Sequence, residues 1–208
     1  MVKKEFLSYD TVRNNAIRLA CRIFKEFGTP DIIYVSLRGG AAMGNVISEY
    51  FKILAHDKKV LYAAVVARAY RDVFDAGEVT VDGWTYPPQK LGKNDKILLV
   101  DDIFDTGKTI NHLVSLIMEQ GIKRSNIGVI VHDYKIRLYE PLHQPVHPDF
   151  FCRKHLLKTK DEDFWIHYSS HELKCLTEEE IAEHYIARDP ALKEAFECLF
   201  KNRGTSKS

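Results

Sequence analysis

Residues 96–109 read Lys-Ile-Leu-Leu-Val-Asp-Asp-Ile-Phe-Asp-Thr-Gly-Lys-Thr: an apolar run, three acids within five residues, then a glycine between threonines. Lys96 to Val100 has the form of a buried strand. The residues after Thr109 place Ile110, Leu113, Val114 and Ile117 at helical spacing. A strand that feeds a polar loop and then a helix is half of a βαβ unit, and the flanking sequence repeats that alternation. Thr11 to Phe27 carries apolar residues at helical intervals and ends at Gly28 and Pro30. Asp31 to Val35 reads as a strand, Ala41 to Leu54 as a helix, and Val60 to Val66 and Ile127 to Val131 as further strands. The predicted fold class is α/β, a parallel sheet flanked by helices and wound with right-handed crossovers. In such sheets ligands bind beyond the carboxyl ends of the strands. Two glycine-containing loops fall there: Ser36-Leu37-Arg38-Gly39-Gly40 and Asp101 to Thr109.

The second loop does two chemical jobs. Gly107 permits a tight turn. The backbone N–H groups of Thr106, Gly107, Lys108 and Thr109, with two hydroxyls and a helix N-terminus, form a cradle for a monophosphate. Asp101 and Asp102 would repel a phosphate and suit ribose hydroxyls or Mg²⁺ instead. Together these groups describe a site for a phosphorylated sugar. An ATP P-loop is excluded, because its first glycine would fall where Asp102 stands. The acid pocket of a phospho-receiver domain would leave Thr-Gly-Lys-Thr unexplained. A capped helix with solvated acids would leave three clustered carboxylates without a partner.

Composition narrows the class. The 208 residues are 45% hydrophobic and 28% charged, which excludes global disorder. Lys and Arg number 30 against 29 Asp and Glu, without the basic surplus of a nucleic-acid binder. The longest apolar stretch, Val60 to Ala67, is too short to span a membrane. Between Lys3-Lys4 and Ser8 the only apolar residues are Phe6 and Leu7, so no secretory signal is expected. Cys21, Cys152, Cys175 and Cys198 are scattered, as reduced thiols of a cytoplasmic protein would be.

The 96–109 segment resembles the binding motif for 5-phosphoribosyl pyrophosphate (PRPP) of type I phosphoribosyltransferases. Ser36 to Gly40 resembles that family's pyrophosphate loop, and Arg68 to Asn94 its flexible catalytic loop. Pro148-Asp149-Phe150 and Asp163-Phe164-Trp165-Ile166 resemble the base-binding hood of the hypoxanthine-guanine and xanthine-guanine members. The likeness covers about residues 8–173, and Asp105, the acid before Thr-Gly, points to the 6-oxopurine branch.

The resemblance implies a Mg²⁺-dependent purine-salvage enzyme with PRPP and a purine base as partners, no nucleic acid or membrane, and a homo-oligomeric state. It also implies a role for each motif residue. Asp101 and Asp102 would bind the ribose hydroxyls, directly or through Mg²⁺, and Asp105 would be the general acid/base near purine N7. Asp105, Thr106, Gly107, Lys108 and Thr109 would surround the 5′-phosphate, and Arg38 and Gly39 would bind pyrophosphate, often beside a cis peptide. Trp165 would stack on the purine with Ile166 beside it, and Lys135 would meet the 6-oxo group. Arg68 and Arg71 would neutralise the leaving group.

The implied organisation is a phosphoribosyltransferase domain over 1–174 with a hood at about 150–173, then a helical extension over 175–208 packed on the domain or on a second subunit. His171 and Glu172 stand where the family's hood commonly carries an Asp, and Ser169-Ser170 replaces Pro-Trp. Two alternatives remain at this stage. His143, His147, Cys152 and His155 lie close enough in sequence to supply zinc ligands, and the same fold would serve a non-catalytic sensor of PRPP or a nucleotide.

Overall fold

The computed structural model describes residues 3–55, 57–69, 79–141, 143–170, 173 and 175–203. It divides into two compact units, Met1–His171 and Glu172–Ser208, three residues before the expected boundary.

The first unit is built on a six-stranded sheet, flanked in chain order by helices. The elements are β1 (Lys4–Leu7), α1 (Tyr9–Glu26), β2 (Ile32–Leu37), α2 (Ala41–Leu54), β3 (Leu61–Ala69), β4 (Val79–Trp84), β5 (Ile97–Phe104), α3 (Lys108–Met118), β6 (Ile127–Arg137), β7 (Phe150–Leu157) and β8 (Trp165–Tyr168). The sheet order is β4-β3-β2-β5-β6-β7, parallel except for the antiparallel β3–β4 pair. The central strands read as continuous apolar runs because both faces are covered. Ile97, Leu98, Leu99 and Val100 are fully buried. On one face Ile33, Val35, Leu98 and Val100 pack with Leu19 and Ile23 of α1 and Ile47 and Phe51 of α2. On the other, Ile32, Tyr34, Leu99 and Val129 pack with Ile110, Leu113 and Ile117 of α3.

Three elements depart from the sequence reading. β5 does not stop at Val100. It pairs with β6 out to Phe104↔Tyr134, so Asp101 and Asp102 are strand residues. Charged residues lower intrinsic strand preference, but ladder pairing overrides it. β6 likewise runs to Arg137, held by β7 out to Arg137↔Leu157. Third, Phe150–Leu157 belongs to the main sheet and not to the hood; its polar centre, Arg153 and His155, hides it as a strand. The hood sheet is therefore only β1 and β8, parallel, with Lys4 opposite Trp165 and Leu7 opposite Tyr168.

Within the Arg68–Asn94 stretch, residues 70–78 lie outside the described residues. β3 and β4 pair, and Arg68 donates to Asp82 at 2.5 and 2.7 Å across them. Arg71, His171 and Glu172 lie outside the described residues.

In the second unit Thr177 and Glu180 form the expected capping box at the start of α4 (Glu178–Ile181). The chain continues as a π-helical turn at Ala182–Ile186, and α5 (Leu192–Arg203) follows, with Tyr185 edge-on to Phe196. Among the described residues no helix is long and apolar enough to cross a membrane.

Candidate active site

The two glycine loops leave the carboxyl ends of adjacent strands, β2 and β5, and so meet. Gly39 sits directly against the Asp102 carboxylate: a Cβ there would lie 2.3 Å from Oδ1, a contact only glycine avoids. The Leu37–Arg38 peptide is cis, and Arg38 is exposed at the loop's tip. Across from it Gly107 adopts φ +73°, and a Cβ would strike the Phe104 ring. That turn lets Lys108 open α3 with its N-terminus at the loop. Asp101, Asp102, Asp105, Thr106, Gly107 and Thr109 line one pocket of about 250 Å³. The loop is braced by Asn111, whose amide donates to the Gly107 and Val146 carbonyls at 2.9 Å and accepts from the Val146 N–H.

The acids differ in environment. Asp101 is nearly buried; burial, and then the charge of Asp102, push its carboxyl well above the ordinary carboxylate range. A nearby cation relieves such a pair, and hard carboxylate oxygens are the donors Mg²⁺ takes. The donor set therefore fits the ion.

A second cleft, of about 530 Å³, lies under the hood, lined in part by Asp105, Lys135, Arg137, Asp163, Phe164 and Trp165. Trp165 is 48% exposed and lines this cleft. Ile166 is not beside it. Strand alternation turns Ile166 into the core, at 5% exposed, among the residues packed against α1. Lys135 is a strand residue, 6% exposed. Its ammonium donates to Asp163 at 2.8 Å and to the Phe164 carbonyl, and lies 4.9 Å from the Phe164 ring centre.

Two residues further along the same strand comes a group that sequence reasoning missed. Arg137 donates to the Asp105 carboxylate and, at 3.1 Å, to the Asp105 carbonyl, and its Nε reaches Asp163 at 2.9 Å. Burial works to raise the Asp163 carboxyl, but bonds from Lys135, Arg137 and Tyr139 outweigh it and hold the group well below the usual range. The signal was in the sequence: a strand that presents residue 135 presents residue 137 on the same face.

The proposed zinc cluster is dispersed. His147 bonds to Tyr134 at 2.9 Å, while His155 bonds at 2.6 Å to Asp133. Burial pushes the Cys152 thiol up to about 12.

Behind the site lies a buried polar knot. Asp133, fully buried, accepts from His132 Nδ1 (2.7 Å), Arg153 Nε (2.7 Å), His155 Nε2 (2.6 Å) and the Tyr168 hydroxyl (2.6 Å). Arg153 also donates to Glu5 of β1, and the Tyr168 hydroxyl lies 3.1 Å from the Asp102 carbonyl. Sheet edge, hood and acid strand are thus tied at one carboxylate.

A mostly parallel α/β sheet thus carries two glycine loops, a paired-acid strand end and a hooded cleft. Residues 7–164 match the phosphoribosyl transferase domain, and the chain belongs to that family. Over 135 residues it is 27% identical to the hypoxanthine-guanine phosphoribosyltransferase of Cricetulus griseus, covering 62% of this chain and 61% of that one. The Homo sapiens enzyme of the same name is 26% identical over the same span. The chain thus matches about three-fifths of the length of these curated relatives. Among solved structures, the purine phosphoribosyltransferase of Pyrococcus horikoshii Ot3 superposes with TM-score 0.61 at 18% identity, over 84% of this chain and 98% of that one. A hypoxanthine phosphoribosyltransferase from Staphylococcus aureus gives 0.55 at 16%, over 71% and 74%. These structures share the fold.

Proposed function

We propose that this protein transfers the 5-phosphoribosyl group of PRPP to N9 of a 6-oxopurine (hypoxanthine, guanine or xanthine), yielding the nucleoside monophosphate and pyrophosphate. The observation that carries this reading is that Asp105 lines both clefts, the one at the phosphate loop and the one under the hood. A carboxylate there stands between a bound 5-phosphoribosyl group and a bound base.

Thr106 to Thr109 hold the 5′-phosphate through backbone N–H groups and hydroxyls. Asp101 and Asp102 hold the ribose hydroxyls and are the residues that would carry Mg²⁺. When bound, that ion supplies charge to neutralise the departing pyrophosphate. Arg38 and the Gly39 backbone take the pyrophosphate end. Trp165 stacks on the base, Lys135 meets its 6-oxo edge, and Asp105 exchanges a proton at N7 as N9 attacks C1′. Ile166 supports the platform from the core side. The protein acts as a homo-oligomer in the cytoplasm.

The test is turnover with PRPP, Mg²⁺ and a panel of purines. Nucleoside monophosphate from at least one 6-oxopurine is expected, and PRPP binding without turnover of any base would replace this reading with that of a sensor. In EDTA, calorimetry should show PRPP binding much weakened, because the paired acids and the pyrophosphate then repel one another. Equal affinity with and without metal would reject the assignment of Asp101 and Asp102.

Trp165→Ala should raise the purine KM by roughly tenfold or more while PRPP affinity holds, because stacking on an aromatic face contributes about 1–3 kcal/mol per base. An unchanged purine KM would move the base elsewhere in the cleft.

A further inference from the structure

We propose that Arg137 is the positioning residue of Asp105: its guanidinium, anchored to the hood through Asp163, fixes the Asp105 carboxylate by Oδ1 and leaves Oδ2 to meet the base. The proposal rests on the phosphoribosyl-transfer reading and adds to it a residue that the motif does not contain.

Asp105 stands in the loop between β5 and α3, one residue before the phosphate cradle. A loop carboxylate has two free side-chain torsions, and a proton-transfer group loses rate when its oxygen wanders by even an ångström. Arg137 removes that freedom from a rigid place, the last residue of β6, paired with Leu157 of β7. Its side chain is only 12% exposed. Nη1 takes the Asp105 carbonyl at 3.1 Å and Nη2 takes Oδ1, so one planar fork grips backbone and side chain of the same residue.

The fork is itself held. Nε is shared between Asp163 Oδ2 at 2.9 Å and the Tyr139 hydroxyl at 3.0 Å, and Tyr139 donates to the same Asp163 oxygen at 2.9 Å. Lys135 takes the other Asp163 oxygen at 2.8 Å. Two carboxylates and two cations close a neutral quartet, so Asp105 is compensated without a cation on both of its oxygens. Asp163 lies two residues before Trp165. The quartet therefore fixes the proton-transfer group and the root of the base platform to one strand.

Arginine is suited to this as lysine is not. A single ammonium can bond Oδ1, but cannot also reach the carbonyl and Asp163 in fixed geometry. Arg137→Met should lower kcat by about 10- to 100-fold with the PRPP dissociation constant moved less than about threefold. Arg137→Lys should recover part of that loss.

The decisive measurement is a double-mutant cycle. If Arg137 acts through Asp105, Asp105→Asn combined with Arg137→Met should have the kcat of Asp105→Asn alone, within about twofold. A role in stability alone would lower the melting temperature and leave kcat unchanged, whereas a role independent of Asp105 would leave the two kcat losses multiplying. Multiplying losses, or an Arg137→Met enzyme with wild-type kcat, overturn the proposal. Should Arg137→Met melt below the assay temperature, Arg137→Lys takes its place in the cycle, with the same two outcomes deciding. No turnover by the wild-type protein would overturn the transferase reading and this role with it. A wild-type enzyme that turns over, beside an unimpaired Arg137 variant, overturns this role alone.

Discussion

Asp105→Asn should lower kcat on the best purine by ~10²–10⁴-fold, the usual contribution of general acid–base assistance, while the PRPP dissociation constant moves only a few-fold. The substitution keeps the side chain's shape, and an amide oxygen still accepts from Arg137, so the loop stays in place. What is lost is the capacity to exchange a proton at N7 as C1′ becomes cationic. Phosphate capture needs only the N–H groups and hydroxyls of Thr106 to Thr109, which the change leaves intact. Asp101→Asn is the control. Its expected partners are ribose hydroxyls and the metal, so PRPP binding should weaken together with turnover. Isothermal titration with PRPP beside steady-state kinetics separates the two variants. Near wild-type kcat in Asp105→Asn would falsify its catalytic assignment.

Asp133→Asn should cost about 3–5 kcal/mol of stability, the range for breaking a buried charge pair by removing one partner. Three nitrogen groups and the Tyr168 hydroxyl converge on this carboxylate with no solvent to replace it. An amide keeps the volume but turns an N–H₂ toward donors. For a chain of this size each kcal/mol lowers Tm by about 2–4 °C, which makes the shift easy to read by calorimetry.

The same variant tests the pH dependence. Burial works to raise the Asp133 carboxyl, but bonds from His132, His155 and Arg153 outweigh it and hold the folded group far below the ordinary carboxylate range. Between the folded group's range and the ordinary one the unfolded chain binds the extra proton. The Asp133 contribution is therefore fully present above about pH 4 and drains away as pH falls further. The wild-type protein should lose stability on acidification faster than Asp133→Asn does. Parallel profiles would mean that the carboxylate is not ionised in the fold.

The turn proposed to hold the phosphate was legible in sequence because its geometry is local. Thr-Gly-Lys-Thr after an apolar strand needs no distant partner to turn tightly into a helix, and Gly39 announces the close approach to Asp102 by being a glycine. The base end was only half legible, because it is assembled from alternation and pairing over long separations. Trp165 faces the cleft while Ile166 does not, a difference set by the register of β8 on β1. Arg137 stayed hidden because charged residues mask the last third of β6. β7 was missed because its middle is polar, and those polar residues turn out to serve the buried Asp133. Asn111, on a helix face, gave no sign of the Val146 carbonyl it clips.

The pairing of β1 with β8 also sets an order of assembly. Lys4 and Trp165 stand side by side but about 160 positions apart in the chain. Contacts of that separation form late, after the intervening segments have collapsed and shortened the loop to be closed. A nascent chain grows from its amino end. By the time α3 has left the ribosome, the 36–40 and 101–109 loops are complete, while β1 still waits for its partner. The part of the candidate site built from the two glycine loops is thus completed first and the cleft under the hood last. Until Trp165 arrives, the short first strand offers an unpaired edge to whatever else is nearby.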